Sequence, residues 1–160
     1  MADVLVDGTT HRLHPRVRLA WTAAGAVLGL VIAVVAALVA LADGSAVAAL
    51  TWFVALAVPW VFAAWGLARW RYARWSWTAW PDALELAHGR VVHRASLVPY
   101  HRIQQIDISR GPFARTFGLS TLILRTAAAT SDAELPGIGA DHAEALRREL
   151  LVRAGVDDAV

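Results

Sequence analysis

The chain has 160 residues, of which 58% are hydrophobic, and its 15 basic and 13 acidic residues leave a net charge of only +2. That balance gives no electrostatic footprint for nucleic acid, so none is expected as a partner. There is no Cys, which excludes disulfides, thiolate metal sites and cysteine nucleophiles; there is no Lys either, which excludes Schiff-base and P-loop lysine chemistry.

In chain order, residues 1–18 read as a short, polar, loosely ordered N-terminal segment. It has a turn at Asp7-Gly8, followed by His11, Arg12, His14, Pro15 and Arg16. Two charge-free apolar runs follow, residues 19–41 and 46–68, separated only by Ala42-Asp43-Gly44-Ser45. Each is long enough to cross a hydrocarbon core of roughly 30 Å at about 1.5 Å per helical residue. The short linker makes them an antiparallel transmembrane hairpin. Arg12, Arg16 and Arg18 precede the first run, Arg69, Arg71 and Arg74 follow the second, and the linker carries only Asp43. The positive-inside rule therefore places both termini in the cytoplasm. Ala40-Leu41-Ala42 looks like a signal-peptidase site, but the run before it exceeds the 7–15 residues usual for a signal peptide.

Within the first run Gly25, Gly29, Ala33 and Ala37 recur every four residues, a stripe that permits close helix approach. It fits packing either on the protein's own second span or on another membrane protein. Pro59 is expected to loosen or kink the second span. Trp21, Trp65 and Trp70 lie where an aromatic belt would form. The membrane-interface set is Arg16, Arg18, Trp21, Arg69, Trp70, Arg71 and Arg74, facing anionic headgroups. Neither span carries an interior ionisable residue, so no proton relay or ion pathway is expected from this chain alone.

From Trp75 the period changes to two. Trp75 to Thr78, then Leu84-Glu85-Leu86 and Val91-Val92-His93 around a tight His88-Gly89 turn, read as strands. Ile103 to Ile108 and Thr121 to Thr126 are further strands, with Ile106/Ile108 and Leu122/Leu124 each on one face. A weaker strand, Ala133 to Leu135, is expected to stop at Pro136-Gly137. The closing helix has Asp141 and Glu144 at capping-box spacing, an apolar stripe of Ala143, Leu146 and Leu150, and Gly155 at its end. Residues 75–154 are therefore expected to be a small antiparallel β domain with a C-terminal capping helix. The whole chain is then an α+β membrane protein, its β domain a partly open barrel or sandwich plugged by that helix.

Pro99-Tyr100-His101-Arg102-Ile103-Gln104, Gly111-Pro112-Phe113-Ala114-Arg115-Thr116-Phe117-Gly118-Leu119 and the strand from Thr121 to Thr126-Ala127 together resemble the YdbS-like family of bacterial membrane proteins. That family joins a transmembrane hairpin to a pleckstrin-homology-like (bacterial PH) domain. The resemblance implies two roughly orthogonal antiparallel sheets with a C-terminal helix across one open end. It also implies a bacterial inner-membrane location and a larger membrane partner with PH-like domains, in envelope stress or antimicrobial-peptide tolerance. Biochemical function does not follow from fold.

Lipid-binding pleckstrin-homology domains hold headgroups with basic residues around the loop between their first two strands. Here Ala79-Trp80-Pro81-Asp82 is short and acidic, so phosphoinositide recognition is not expected. A candidate docking surface is Arg102, Arg110, Gly111, Pro112 and Arg115. On the opposing reading Gly111-Pro112 is a turn former, Phe113, Phe117 and Leu119 enter the core, and the arginines are solvated or locally paired. His88, His93, His101 and His142 show no metal-ligand spacing. The serines lie in no nucleophile motif, and Gly137-Ile138-Gly139-Ala140 is no dinucleotide loop. No enzyme activity, cofactor or metal is expected. The chain reads as a membrane-anchored interaction or assembly module whose partners are the lipid bilayer, a second PH-like membrane protein or another copy of itself. A lipid-headgroup sensor or an accessory subunit of a transporter or secretion complex are the alternatives.

Overall fold

The computed structural model describes residues 8–88, 94–126 and 133–155. The chain forms two compact units: Arg18–Trp70, and the residues up to Val17 together with those from Arg71 onward. The second unit is thus assembled from both sides of the first.

The helical unit contains α1 (Val17–Ala42) and α2 (Ala46–Ala73). Gly44 turns the chain between them at φ +85°, a left-handed conformation that favours glycine. Ser45 then caps α2 by accepting the Ala48 N–H on its Oγ at 3.2 Å. Hydroxyls inside the apolar helices satisfy themselves locally, Thr22 Oγ1 donating to the Arg18 carbonyl and Thr51 Oγ1 to Val47, each at 2.8 Å. Pro59 does not interrupt α2, although it removes one rung of the ladder. Ala33, Ala40 and Ala49 are buried, while Leu28, Val31, Val35, Leu38, Val58 and Phe62 point outward and are exposed. Both helices are long and apolar enough to cross a membrane.

The second unit holds two antiparallel sheets. One has the order β1-β2-β3-β4, from β1 (Thr10–His11), β2 (Ser76–Ala79), β3 (Ala83–His88) and β4 (Arg94–Pro99). The other runs β5-β6-β7, from β5 (Ile103–Ser109), β6 (Leu119–Thr126) and β7 (Ala133–Gly139). Two short elements and α4 (Ala140–Ala154) complete it: a 3-10 turn, Tyr100–Arg102, and α3 (Pro112–Thr116). Alternation buries Trp77, Ala79, Leu84, Leu86 and Val98 from the first sheet and Leu122, Leu124 and Leu135 from the second. Ala143, Leu146, Leu150 and Leu151 of α4 lie buried against the second sheet and the 3-10 turn. Among the described residues the strands form two separate sheets and do not close into a barrel.

Several expectations change. The described part of the N-terminal segment, residues 8–17, is not loose: Thr10 and His11 pair with Thr78 and Trp77, and Leu13 is 1% exposed. Two residues are too few to show a period, so the strand was invisible to a pattern reading. β7 does not stop at Pro136-Gly137 but continues to Gly139. Proline is tolerated there because β7 is an edge of its sheet, and Gly137 takes φ +70° beside a register shift between Ser120 and Leu122. The capping box is absent. Gly139 is the N-cap of α4, with no side-chain cap bond, and Asp141 sits inside the first turn, where its charge still suits the helix dipole. A register shift between Ile103 and Gln105 lets Ile103 and Ile106 both face inward, while Ile108 is half-buried. Gly155 ends α4 at φ +67°, as its position at the end of the apolar stripe indicates. The expected turn at Gly89 and the strand Val91-Val92-His93 lie outside the described residues.

Because Leu13 is a core residue, Leu13→Ala is expected to destabilise the β unit by about 2–4 kcal/mol. Chemical denaturation in detergent followed by hydrogen exchange of β2 and β7 measures this; an unordered leader would show no change.

Candidate functional site: the helix seam, the flanking arginines and the Gly111 turn

The small-residue stripe is occupied by the protein's own second helix. A Cβ on Gly25 would stand 2.9 Å from the Ala64 side chain, and one on Gly29 would fall inside the Trp60 indole. Trp60 Nε1 donates to the Gly25 carbonyl at 2.9 Å, so the one polar atom of that side chain is satisfied within the seam. Ala33 is fully buried and Ala37 half-buried further along the same face. Gly25 and Gly29 thus lie directly against Ala64 and Trp60 of α2. Trp60 completes this contact, and its only sign in the sequence is an aromatic residue one turn from Leu56 and Ala64.

Of the residues named for the membrane interface, Arg18 and Trp21 lie in the first turns of α1 and Arg69, Trp70 and Arg71 in the last turns of α2, while Arg16 precedes α1 and Arg74 follows α2. Trp21 and Trp70 are half-buried, and Arg69 is exposed with its guanidinium 5.1 Å from the centre of the Trp65 ring. Arg18 and Arg71 are half-buried, as is Arg74, and Arg16 is exposed. The Arg16 backbone N–H donates to His14 Nδ1 at 3.2 Å, which helps turn the chain into α1.

The docking candidate divides. Arg102 lies just before β5 and Arg110 just after it, so the strand between them holds them roughly 25 Å apart. Arg110, Gly111, Pro112 and Arg115 stay together. Gly111 is the N-cap of α3, Pro112 occupies its first position, and Phe113 and Phe117 are half-buried beneath it. Gly118, at φ +66°, accepts the Ala140 N–H at 2.9 Å, joining this turn to the start of α4. Arg110 Nε donates at 2.9 Å to Ser120 Oγ, whose residue is completely buried. Arg110 is thereby a structural donor, and Arg115 is an exposed cation beside it. On the same sheet Arg125 Nε donates to Asp107 Oδ2 at 2.8 Å and Gln105 Nε2 to Oδ1 at 2.6 Å. These bonds, Arg125 first, hold the Asp107 carboxyl below the usual carboxylate range.

Against this geometry, residues 17–154 match the family model described as "Bacterial PH domain". The chain belongs to the bacterial PH domain family. No curated protein and no solved structure matches it. The family match begins at the first residue of α1, so strand β1 precedes the matched region.

In this PH domain the connection between β2 and β3 is closed by Trp80 N–H donating to the Ala83 carbonyl at 2.8 Å. Its tip carries Asp82, and Trp80 Nε1 donates to Glu85 Oε2 at 2.8 Å. Two carboxylates thus occupy the region where a phosphate would require cations. Among the described residues no group of three or more His, Asp or Glu could hold a metal ion.

Gly29→Leu is expected to cost the hairpin about 1–3 kcal/mol through overpacking against Trp60. Gly66→Leu, where an added Cβ meets nothing within 4 Å, should cost far less. Thermal loss of helicity in detergent distinguishes the two. Arg110→Ala should destabilise the β unit by about 1–3 kcal/mol, because it strands the buried Ser120 hydroxyl; denaturant midpoints for this variant and for Arg115→Ala make the comparison.

Proposed function

We propose that this protein is a membrane-anchored PH-like interaction module of the YdbS-like type. It sits in the bacterial inner membrane with both termini in the cytoplasm and acts in assembly with a larger PH-like membrane protein. The observation that carries the reading is the outward face of α1 and α2: nearly every large apolar side chain there is exposed. In water such a surface would be far larger than a monomer tolerates, and a bilayer covers it. The arginines at the helix ends away from Asp43 support the cytoplasmic orientation.

Two features support the assembly reading: the β2–β3 connection is acidic, which disfavours a phosphate ligand there, and the Gly111 turn offers exposed Arg115 on a rigid sheet. Helix contacts with a partner would use the lipid-facing surfaces, since the Gly25–Gly29 face is filled by Trp60. Envelope stress or antimicrobial-peptide tolerance is the setting the family resemblance supplies. Self-association is the second form such an assembly could take.

The test is purification of the tagged full-length protein from its native membrane in mild detergent, beside the Arg115→Glu variant. A larger protein with PH-like domains is expected to accompany the wild type and to be depleted several-fold with the variant. If lipid alone accompanies both, the assembly reading fails and a headgroup-sensing role replaces it. A polytopic partner without PH-like domains would instead point to the accessory-subunit role.

A further inference from the structure

The outer edge of β4 is left open, and its hydrogen-bond phase says which groups it offers. Tyr100 N–H donates to the Asp82 carbonyl at 3.1 Å, and the register runs on from there without a shift: Pro99 opposite Ala83, Val98 opposite Leu84, Leu97 opposite Glu85 and Ser96 opposite Leu86. Opposed residues of an antiparallel ladder alternate between bonded and non-bonded pairs. With Tyr100 and Asp82 a bonded pair, Val98 and Ser96 bond to β3, whereas Leu97 and Ala95 turn their N–H and C=O groups away from it. Pro99 belongs to that outward set, so its missing N–H takes no bond from the sheet. β4 is the last strand of its sheet, and among the described residues no strand pairs with its other side.

The sheet face beside this edge has a definite chemistry. The register sets Thr10, Thr78, Glu85 and Leu97 in one row across the strands, on the side opposite the buried Trp77, Leu84, Leu86 and Val98. At the β4 end of that row the face is open: Leu97 is 60% exposed and Trp80 43% exposed. Trp80 Nε1 donates to Glu85 Oε2 at 2.8 Å, which holds the carboxylate in place next to Leu97, and Asp82 is exposed at the tip of the same connection. β1, β2 and β3 contain no Arg, so nothing in them offsets these two carboxylates. The patch is apolar at its centre and negative around it.

We propose that the free edge of β4 docks an extended cationic segment of a protein partner, whose backbone pairs with Leu97 and Ala95 while an Arg or Lys on it crosses Leu97 to meet the Glu85 carboxylate. Neighbouring strands lie about 4.8 Å apart, so a strand added to β4 stands roughly 10 Å from β3. Only a long side chain reaches across that distance, and its methylene stem covers exposed Leu97 on the way. Main-chain bonds hold the segment, and the carboxylates select the sign of its charge. An anionic bilayer is the disfavoured occupant, because Glu85 and Asp82 repel its headgroups. The proposal rests on reading the protein as an interaction module, and it gives that module a second docking surface apart from Arg115.

Binding of a fluorescent alternating Val-Arg peptide to the full-length protein in non-ionic detergent tests this, with a Val-Glu peptide of equal length as the control and amide exchange as the structural readout. The Val-Arg peptide is expected to bind, to weaken as salt rises and to slow exchange at Leu97 and Ala95 by about tenfold, and the Val-Glu peptide to do none of these. Leu97→Pro removes an N–H that points away from β3, and Leu97→Arg sets a like charge in the cation's path. Each should weaken binding by about tenfold or more while the denaturant midpoint of the β unit changes little; if Leu97→Pro does not fold, Leu97→Arg decides. Glu85→Gln keeps an acceptor for Trp80 and should remove most of the salt dependence. Absence of Val-Arg binding overturns the proposal, as does equal binding of the Val-Glu peptide or of Leu97→Arg. Without peptide, protection of Leu97 in a dimer would make the occupant a second copy, and protection in phosphatidylglycerol nanodiscs would make it the bilayer; either result overturns the cationic segment. None of these outcomes decides the interaction-module reading, which stands or falls on the co-purified PH-like partner.

Discussion

The pairing of β1 with β2 is the constraint on which the rest of the architecture depends. It lies across a chain separation of more than sixty residues, Thr10 facing Thr78, and everything between those positions is the helical hairpin with its immediate connections. The hairpin is therefore an insertion into the β unit, not an anchor placed before it. Closing so long a loop costs entropy that grows only slowly with its length. The hairpin lowers that cost further, because its two helices already return the chain to where it began. In exchange the edge of β2 is covered, Leu13 enters the core, and β7 gains a hydrogen bond at Gly137.

The hairpin has its own fastening. In hydrocarbon there is no hydrophobic gain from bringing helices together, so contact depends on close packing and on satisfying polar atoms. Trp60 meets both needs. Its ring fills the space above Gly29, and its N–H finds the Gly25 carbonyl. A small residue at either glycine position alone would permit approach; the large residue opposite makes the approach specific. The stripe is consequently spent on intramolecular packing, and the faces that carry Leu, Val and Phe stay exposed.

In the β unit the Gly111 turn shows how a candidate site can change meaning once its neighbours are known. Arg102 and Arg110 are close in sequence, but an extended strand separates them, so they cannot share a ligand. Arg110 is exposed but spends its Nε on a buried hydroxyl, while Arg115 is exposed beside it. The half-burial of Phe113 and Phe117 agrees in part with the turn-forming reading, and α3 is the form that turn takes.

The sequence by itself determined the elements that depend on composition and period. Charge-free runs of sufficient length become helices wherever they are placed. The alternation of Trp77, Leu84, Leu86, Leu122 and Leu124 requires a buried sheet face, and Ala143, Leu146 and Leu150 require a helix lying on one. Its family likeness rested on the local segments Pro99 to Gln104, Gly111 to Leu119 and Thr121 to Ala127. Tertiary structure decided what depends on partners distant in the chain. β1 is a strand only because β2 is there to receive it, Pro136 lies within a strand only because β7 is an edge, and Gly25 and Gly29 are filled only because Trp60 stands opposite. Asp141 lost its capping role for the same reason, since β7 runs directly into α4 and leaves Gly139 at the boundary. Periodicity records which face of an element avoids water, whereas pairing, edge position and close packing are properties of two segments together, and neither segment alone encodes them.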